Sequence, residues 1–450
     1  MYLNTLTEKM IDELEICDIH VHLPGTINAK TAWILGVKNK LIEIKKSPNG
    51  YVATTGTQDN NISGHFKHYI DIFNNDFSLD QYGDVNNIRY NFSRDKRFKN
   101  FDAIMATVQG HRYPPGGIQN IQDLILIFNN ILKECQKQKI VYVEMQQNIK
   151  IAYLIYPNLK QQLARKKLFI FFQTISDTFS DKGITLKFLH CFNKTSSSGE
   201  KISTQNRAIE GAKWLKESQK IMPNLFVGIE SAGHEKDMLG WPLHLKQGYK
   251  IVKSLGLGCE AHGGEGIGVE HMMDVAQTLP IKRIAHGFQV IEDINCINYI
   301  KAHHITLIMT PVLNLKLGMC IHVKQYKETY MPCSKIQGGQ KIDLITLHQH
   351  PFFELLRNYR LKITISSDNP NLGGMPLKEL IKALANLHRQ YRLPNNFLPL
   401  LAEELAILCF NTIDVIFTQE KIKNILRKKL NTWITKYNLN LDFIESYYHS

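Results

Sequence analysis

The amino-acid sequence predicts a (β/α)8 TIM barrel. Three features predict it: eight short apolar runs rich in β-branched residues, amphipathic stretches between them, and His, Glu and Asp at the ends of several runs. The runs are Ile16–Leu23, Ile140–Gln146, Ile184–Phe192, Leu225–Ser231, Leu257–His262, Arg283–Val290, Ile305–Val312 and Leu361–Ser367. Each has the length of a strand, and eight is the number that closes a parallel barrel. Between them Ile121–Gln136, Ala208–Lys220 and Leu243–Leu255 carry apolar residues at helical spacing, as helices laid against a sheet do. Thr7–Leu14 predicts a further helix capping the barrel floor.

Two stretches exceed a minimal barrel. Val37 to Lys99 is polar, rich in Asn and Lys, and carries Phe66, Tyr69, Phe73 and Phe77; it reads as a helical, lid-like insertion after the first strand, at about 37–99. The second, at about 319–348, contains the turn Gly338-Gly339 and lengthens the loop after the seventh strand. No repeat, low-complexity tract or Pro/Ser linker divides the chain, so residues 1–450 are expected to form one domain.

A content of 44% hydrophobic and 21% charged residues over 450 positions describes a folded chain with a large core. The net charge of +13 favours anionic partners. Its plainer reading is solvated surface: lysines are spread along the chain, and Lys421, Lys423, Arg427, Lys428 and Lys429 fall at helical spacing. No nucleic-acid reader motif accompanies the charge, so nucleic acid is not expected as a partner. The eight cysteines form no CxxC pair and lie mostly in apolar segments, as reduced core residues do. The N-terminus lacks an apolar h-region and no run reaches membrane-spanning length. A cytoplasmic location is expected, with non-classical export left open and the oligomeric state unknown.

The chemistry concentrates at the run ends. His20-Val21-His22 lies in the first run, where period-two geometry sends both imidazoles to one face. In a barrel that face is the lumen. Neutral imidazole suits zinc, although an HxH pair by itself also arises by chance. His262-Gly263-Gly264-Glu265 ends the fifth run; it reads equally as a Gly-rich turn with a core histidine or as a backbone shaped for close approach to a ligand. His286-Gly287 closes the sixth run, and Ser367-Asp368-Asn369-Pro370 closes the eighth. In order, these place three histidine motifs and an aspartate at C-terminal strand ends, the face where barrel enzymes carry catalysis.

The ordered set resembles the adenosine deaminase family of amidohydrolases. The family's signatures appear as His20-Val21-His22-Leu23-Pro24-Gly25, Glu230-Ser231-Ala232-Gly233-His234-Glu235, His262-Gly263-Gly264-Glu265, His286-Gly287 and Ser367-Asp368-Asn369-Pro370. Val141-Tyr142-Val143-Glu144, Thr310-Pro311-Val312-Leu313-Asn314 and His350-Pro351 add supporting likenesses, and the match spans roughly residues 16 to 420. The resemblance implies that His20, His22, His262 and Asp368 bind one Zn²⁺ or another divalent metal. It assigns catalysis to Glu265, His286 and Asp368. His286 would take a proton from water, Asp368 would also orient that water, and Glu265 would protonate the purine ring nitrogen beside the attacked carbon. His22, Gly233 and Asn369 would contact the substrate, a small purine nucleoside or relative, releasing ammonia and an inosine-type product.

Three positions depart from the pattern or bear on it. Asn369 stands where the family has a second Asp facing purine N7; an amide donates at any pH, so purine binding is compatible with the change. Pro24 replaces an Asp that resembles a ribose anchor, which points to a sugar end held otherwise, modified, phosphorylated or absent. Glu230 occupies a place where two-metal amidohydrolases bridge their ions, but the adenosine deaminase pattern also has an acid there, so one metal is expected. His348 and His350 form a second HxH in a polar loop without ligand partners, and His303, His304, His190 and His244 have none at ligand spacing. His234, beside Gly233, is open to either reading.

The rival readings are another amidohydrolase reaction, on a different aminopurine, a substituted amine or a cyclic amide, and a nucleoside-binding protein whose activity has faded. Retention of His20, His22, His262, Glu265, His286 and Asp368 argues against the last.

Overall fold

The computed structural model describes residues 3–28, 118–194, 201–233, 235, 241–265, 268–316, 347–371, 374–390, 393–394 and 396–448, with a few short pieces between them. Eight parallel strands follow one another in chain order: β1 (Ile16–His22), β2 (Ile140–Gln147), β3 (Thr185–Asn193), β4 (Phe226–Ala232), β5 (Gly258–Gly263), β6 (Arg283–His286), β7 (Thr306–Met309) and β8 (Ile363–Ile365). Each pairs with the next, and a parallel bridge between Val21 and Asp368 brings the end of β8 back to β1. At that seam the His22 amide donates to the Asp368 carbonyl at 2.8 Å and the Asp368 amide donates to the His20 carbonyl at 2.9 Å. The Ser367 hydroxyl, 2.5 Å from the Asp18 carboxylate, ties the same seam.

The expected strands are present, and three end early. β6 stops at His286 because Gly287 takes φ +65° and opens a 3-10 turn, Phe288–Glu292, where continued strand was expected through Val290. β7 stops at Met309 because Pro311, which lacks the ladder donor, starts a helical segment, Pro311–Lys316. β8 is shortened at both ends to Ile363–Ile365.

Helices flank the strands as α1 (Glu8–Glu13), α2 (Ile121–Lys137), α3 (Gln161–Ser180), α4 (Lys201–Ile221), α5 (Trp241–Ser254) and α6 (Val269–Thr278). The four predicted ones are α1, α2, α4 and α5, joined by α3 and α6. Asn120 caps α2 in a reciprocal box with Asp123. The apolar stripes of α2 and α3 meet the sheet through rings: Phe172 stacks on Phe188 of β3 at 4.5 Å, with Phe128 and Phe226 packed beside them. Further along, α7 (Leu377–Ala385), α8 (Ala402–Val415) and α9 (Glu420–Lys436) complete the outer layer, where the Trp433 indole donates to the Met10 carbonyl of α1 at 2.9 Å.

Most of Val37 to Lys99 lies outside the described residues, including Phe66, Tyr69, Phe73 and Phe77; the described part is the backbone of an antiparallel hairpin, Ile42–Ser47 with Gly50–Thr55. Within 319–348 the described backbone comprises Ile321–Val323 paired with Tyr330–Met331 and Ile342–Leu344, followed by a short turn, Leu347–Gln349. Cys17, Cys135, Cys191, Cys259, Cys296 and Cys409 are free thiols, while Cys320 and Cys333 fall outside the described residues. Among the described residues no helix is long and apolar enough to cross a membrane.

Candidate active site

The C-terminal strand ends assemble the site. His20 and His22 project to one side of β1, His262 comes from β5, His286 ends β6, and Asp368 follows β8. All five are buried. His286 and Asp368 adopt φ +66° and +58°, a region uncommon for residues with a Cβ and concentrated at functional sites. The seam hydrogen bonds hold Asp368 there, and the adjoining Gly287 continues the left-handed turn after His286.

Behind three of the four imidazoles a second residue fixes the ring. Glu260 lies 2.5 Å from His20 Nδ1, Glu230 lies 2.5 Å from His262 Nδ1, and Thr310 Oγ1 lies 2.9 Å from His286 Nδ1. Those contacts occupy Nδ1 and aim Nε2 inward, the arrangement that orients metal-binding histidines. The Nε2 atoms of His20 and His286 are buried with no protein hydrogen-bond partner. Leaving such polar atoms buried and unpaired is costly, and a cation between them removes that cost.

Ligand-type atoms of His20, His22 and His262 lie within 4.8 Å of one another, as do those of His20, His286 and Asp368 and those of His262, Glu265 and His286. Asp368 Oδ1 is 3.5 Å from His22 Nε2 and 3.8 Å from His20 Nε2, and its Oδ2 is 3.8 Å from His286 Nε2. Three imidazoles and a carboxylate fit a zinc ion. Burial holds His22 and His262 well below the ordinary imidazole pKa, helped by neighbouring histidines, so both favour the neutral, ligating form. Burial pushes Asp368 up to about 7 and Glu230 up to about 8, an excess of carboxylate that a divalent cation offsets.

Glu265 Oε1 stands 3.5 Å from His286 Nε2, within the same cluster. Gly233 takes φ +110° just beyond β4, and the Asn369 amide donates to Asp368 Oδ1 at 2.6 Å. Glu230 belongs to none of the potential metal-ligand groups: one oxygen holds His262 and the other accepts from the Cys191 thiol at 2.7 Å. Pro24 sits buried in a 3-10 turn, Leu23–Thr26, and His234 lies outside the described residues. Other histidines make contacts within the protein through Nδ1 or the ring face. His350 Nδ1 accepts from the Phe352 amide at 3.1 Å, His190 Nδ1 from the Ile149 amide at 3.3 Å, and His303 stacks on Tyr299 at 3.9 Å.

A layer of charge beneath the ligands escaped the reading of the sequence. Arg283, fully buried, donates from Nε to Glu260 and from a terminal nitrogen to Glu144. Gln146 Oε1 accepts from the Val21 amide at 2.7 Å while its nitrogen lies 3.2 Å from His20 Nδ1. One signal was available: Glu260 precedes His262 by two residues, so strand alternation sends both to the lumen.

A closed succession of eight parallel strands with a buried His/Asp cluster at its C-terminal mouth is the amidohydrolase form of the TIM barrel. The adenosine deaminase family model matches residues 109–433, and the chain belongs to that family. The match begins after β1, so His20 and His22 enter the comparison through their geometry. An adenine deaminase from Vibrio parahaemolyticus is 24% identical over 268 residues, covering 59% of this chain and 65% of that one. An adenosine deaminase from Plasmodium gallinaceum is 36% identical over 96 residues, 21% of this chain and 25% of its own length. The chain thus spans less than two thirds of the length of these relatives. A crystal structure of an amidohydrolase from Burkholderia ambifaria with bound Zn aligns over 99% of this chain and 96% of its own, with a TM-score of 0.63 and 14% identity.

Proposed function

We propose that the protein hydrolyses the exocyclic amine of an adenine-type purine, giving the oxo product and ammonia. The convergence of His20, His22, His262 and Asp368 at the barrel mouth, with Glu265 beside His286, carries this reading. Those four residues would hold one Zn²⁺, which supplies Lewis acidity that lowers the pKa of water toward neutrality. Asp368 and His286 orient the attacking water and accept its proton. Glu265 delivers a proton to the ring nitrogen beside the attacked carbon. The proton taken from water passes to the amino group, the C–N bond breaks and ammonia departs, while the hydroxyl proton left on the attacking oxygen returns Glu265 to its acid form. Gly233 offers backbone polar groups to the base, His22 borders the substrate, and Asn369 has a second amide hydrogen for purine N7 beyond the one given to Asp368.

The substrate we favour is adenosine or a modified or phosphorylated relative. Pro24 removes the side-chain anchor for an unmodified ribose, and the net charge of +13 suits a phosphorylated one. The adenine deaminase likeness supports a base without sugar as the second reading. Metal analysis combined with ultraviolet and ammonia-release assays on adenosine, adenine, AMP and N6-substituted analogues tests both. Zinc-loaded protein that releases ammonia from none of them would overturn the proposal.

A further inference from the structure

Lys194 immediately follows β3, and its side chain is 2% exposed. An ammonium so buried needs partners. Its Nζ lies 3.2 Å from Glu235 Oε1 and donates to the His262 carbonyl at 3.1 Å. Glu235 is also fully buried, and its other oxygen accepts the Glu265 amide at 2.9 Å. The Thr204 hydroxyl of α4 donates to the Lys194 carbonyl at 2.8 Å, and His271 Nε2 of α6 lies 3.7 Å from Glu235. One ion pair thus links the exits of β3, β4 and β5.

That pair grips the segment His262-Gly263-Gly264-Glu265 at both ends: Lys194 on the carbonyl of the first residue, Glu235 on the amide of the last. Between them lie two glycines, one at φ +69°, which restrict the backbone least. The separation between a ligand-type imidazole and the Glu265 carboxyl is therefore set by bonds from outside the segment. Stability alone is a weak reason to keep such a pair, because matched apolar residues commonly replace a buried ion pair without loss.

We propose that Lys194 and Glu235 are positioning residues whose ion pair fixes Glu265 relative to His262. The inference rests on the roles assigned above to those two residues. Lys194 and Glu235 act through the backbone of the segment.

The test uses the full chain loaded with zinc, as wild type, E235Q and the double variant K194M/E235M. The double variant strands no charge, so it should fold with zinc content near wild type and a melting temperature lowered only by the loss of two backbone partners. Its Glu265 amide, without an acceptor, should exchange with deuterium about tenfold faster. Its kcat on the best aminopurine substrate should fall about 100-fold with KM nearly unchanged, as expected when a reacting group is misplaced. E235Q retains an acceptor oxygen and should recover most of that kcat. Wild-type kcat in the double variant, or unchanged exchange at Glu265, would overturn the clamp. If that double variant does not fold, K194M/E235Q decides, because it keeps the Glu265 acceptor but removes the Lys194 grip on the His262 carbonyl without stranding a charge: reduced kcat with retained zinc and melting temperature supports the clamp, and wild-type kcat refutes it. A wild-type protein inert toward every aminopurine would refute the proposed function instead, while the exchange measurement would still judge the clamp.

Discussion

Glu260 bridges His20 and Arg283: one carboxylate oxygen lies 2.5 Å from His20 Nδ1 and the other accepts from the Arg283 guanidinium. Burial opposes a charge on His20, yet Glu260 outweighs it and pushes the imidazole pKa up to about 9. Arg283 also meets Glu144, and its guanidinium lies over the Phe417 ring, 3.7 Å from the centroid. Arg283→Met would leave two buried carboxylates facing one another. Expected is a loss of about 3–5 kcal/mol in urea unfolding of the metal-loaded protein; an unchanged unfolding midpoint would show that Arg283 is not needed to balance them.

Glu230 should matter to the metal through His262. Glu230→Gln keeps the shape but replaces the carboxyl group beside His262 Nδ1 with a weaker amide acceptor. Zinc affinity, measured by competition with a chromogenic chelator, should fall by about 10–100-fold. Equal affinity would separate Glu230 from the metal centre.

Glu265→Gln should retain zinc while losing turnover by about 10²–10⁴-fold, because an amide cannot deliver the ring-nitrogen proton. Assaying ammonia release beside metal content separates chemistry from loading. Comparable activity in the variant would remove Glu265 from the acid role.

Gly25 faces Asn369 without room for a side chain: an added Cβ would stand 2.1 Å from Asn369 Oδ1 and 2.6 Å from its Cα. The second contact is with backbone, which cannot swing aside as a flexible side chain does. Gly25→Ala should lose about 1–3 kcal/mol of stability and weaken zinc binding by displacing Asp368, the neighbour of Asn369. Thermal melts with and without zinc would register both effects.

Lys378 predicts a dependence on alkaline pH far from the metal centre. Burial is the first cause lowering its pKa to about 8, with Lys139 adding to it, although its ammonium donates to the Asp12 carbonyl at 2.8 Å. Between about pH 8 and the ordinary lysine value near 10.4, the unfolded chain keeps a proton that the folded chain has released. Stability contributed by this site should therefore rise with pH across that window. Urea midpoints of wild type and Lys378→Met at pH 7.5, 8.5 and 9.5 would reveal the slope; identical slopes would contradict it.

The residues that could be read from sequence share one property: their surroundings are local. His20 and His22 sit two apart in a strand-like run, and His262, His286 and Asp368 each close a run beside a turn signal, so periodicity and position locate them. Arg283 stands at the edge of its run, where no local pattern marks it as buried. Its burial appears only when β2, β5 and β6 bring Glu144, Glu260 and Arg283 together inside the barrel. Two strand ends were overrun: at Pro311 the ladder-breaking residue stood inside the expected run, and at His286 the left-handed backbone is imposed by the assembled site.

The Val21–Asp368 bridge joins the first and last strands of the barrel through the same peptides that carry His20, His22 and Asp368. An ion shared by those side chains would act as a rivet through the hoop. Its capture would then add to the stability of the closed circle, so chelation should loosen the architecture along with the chemistry.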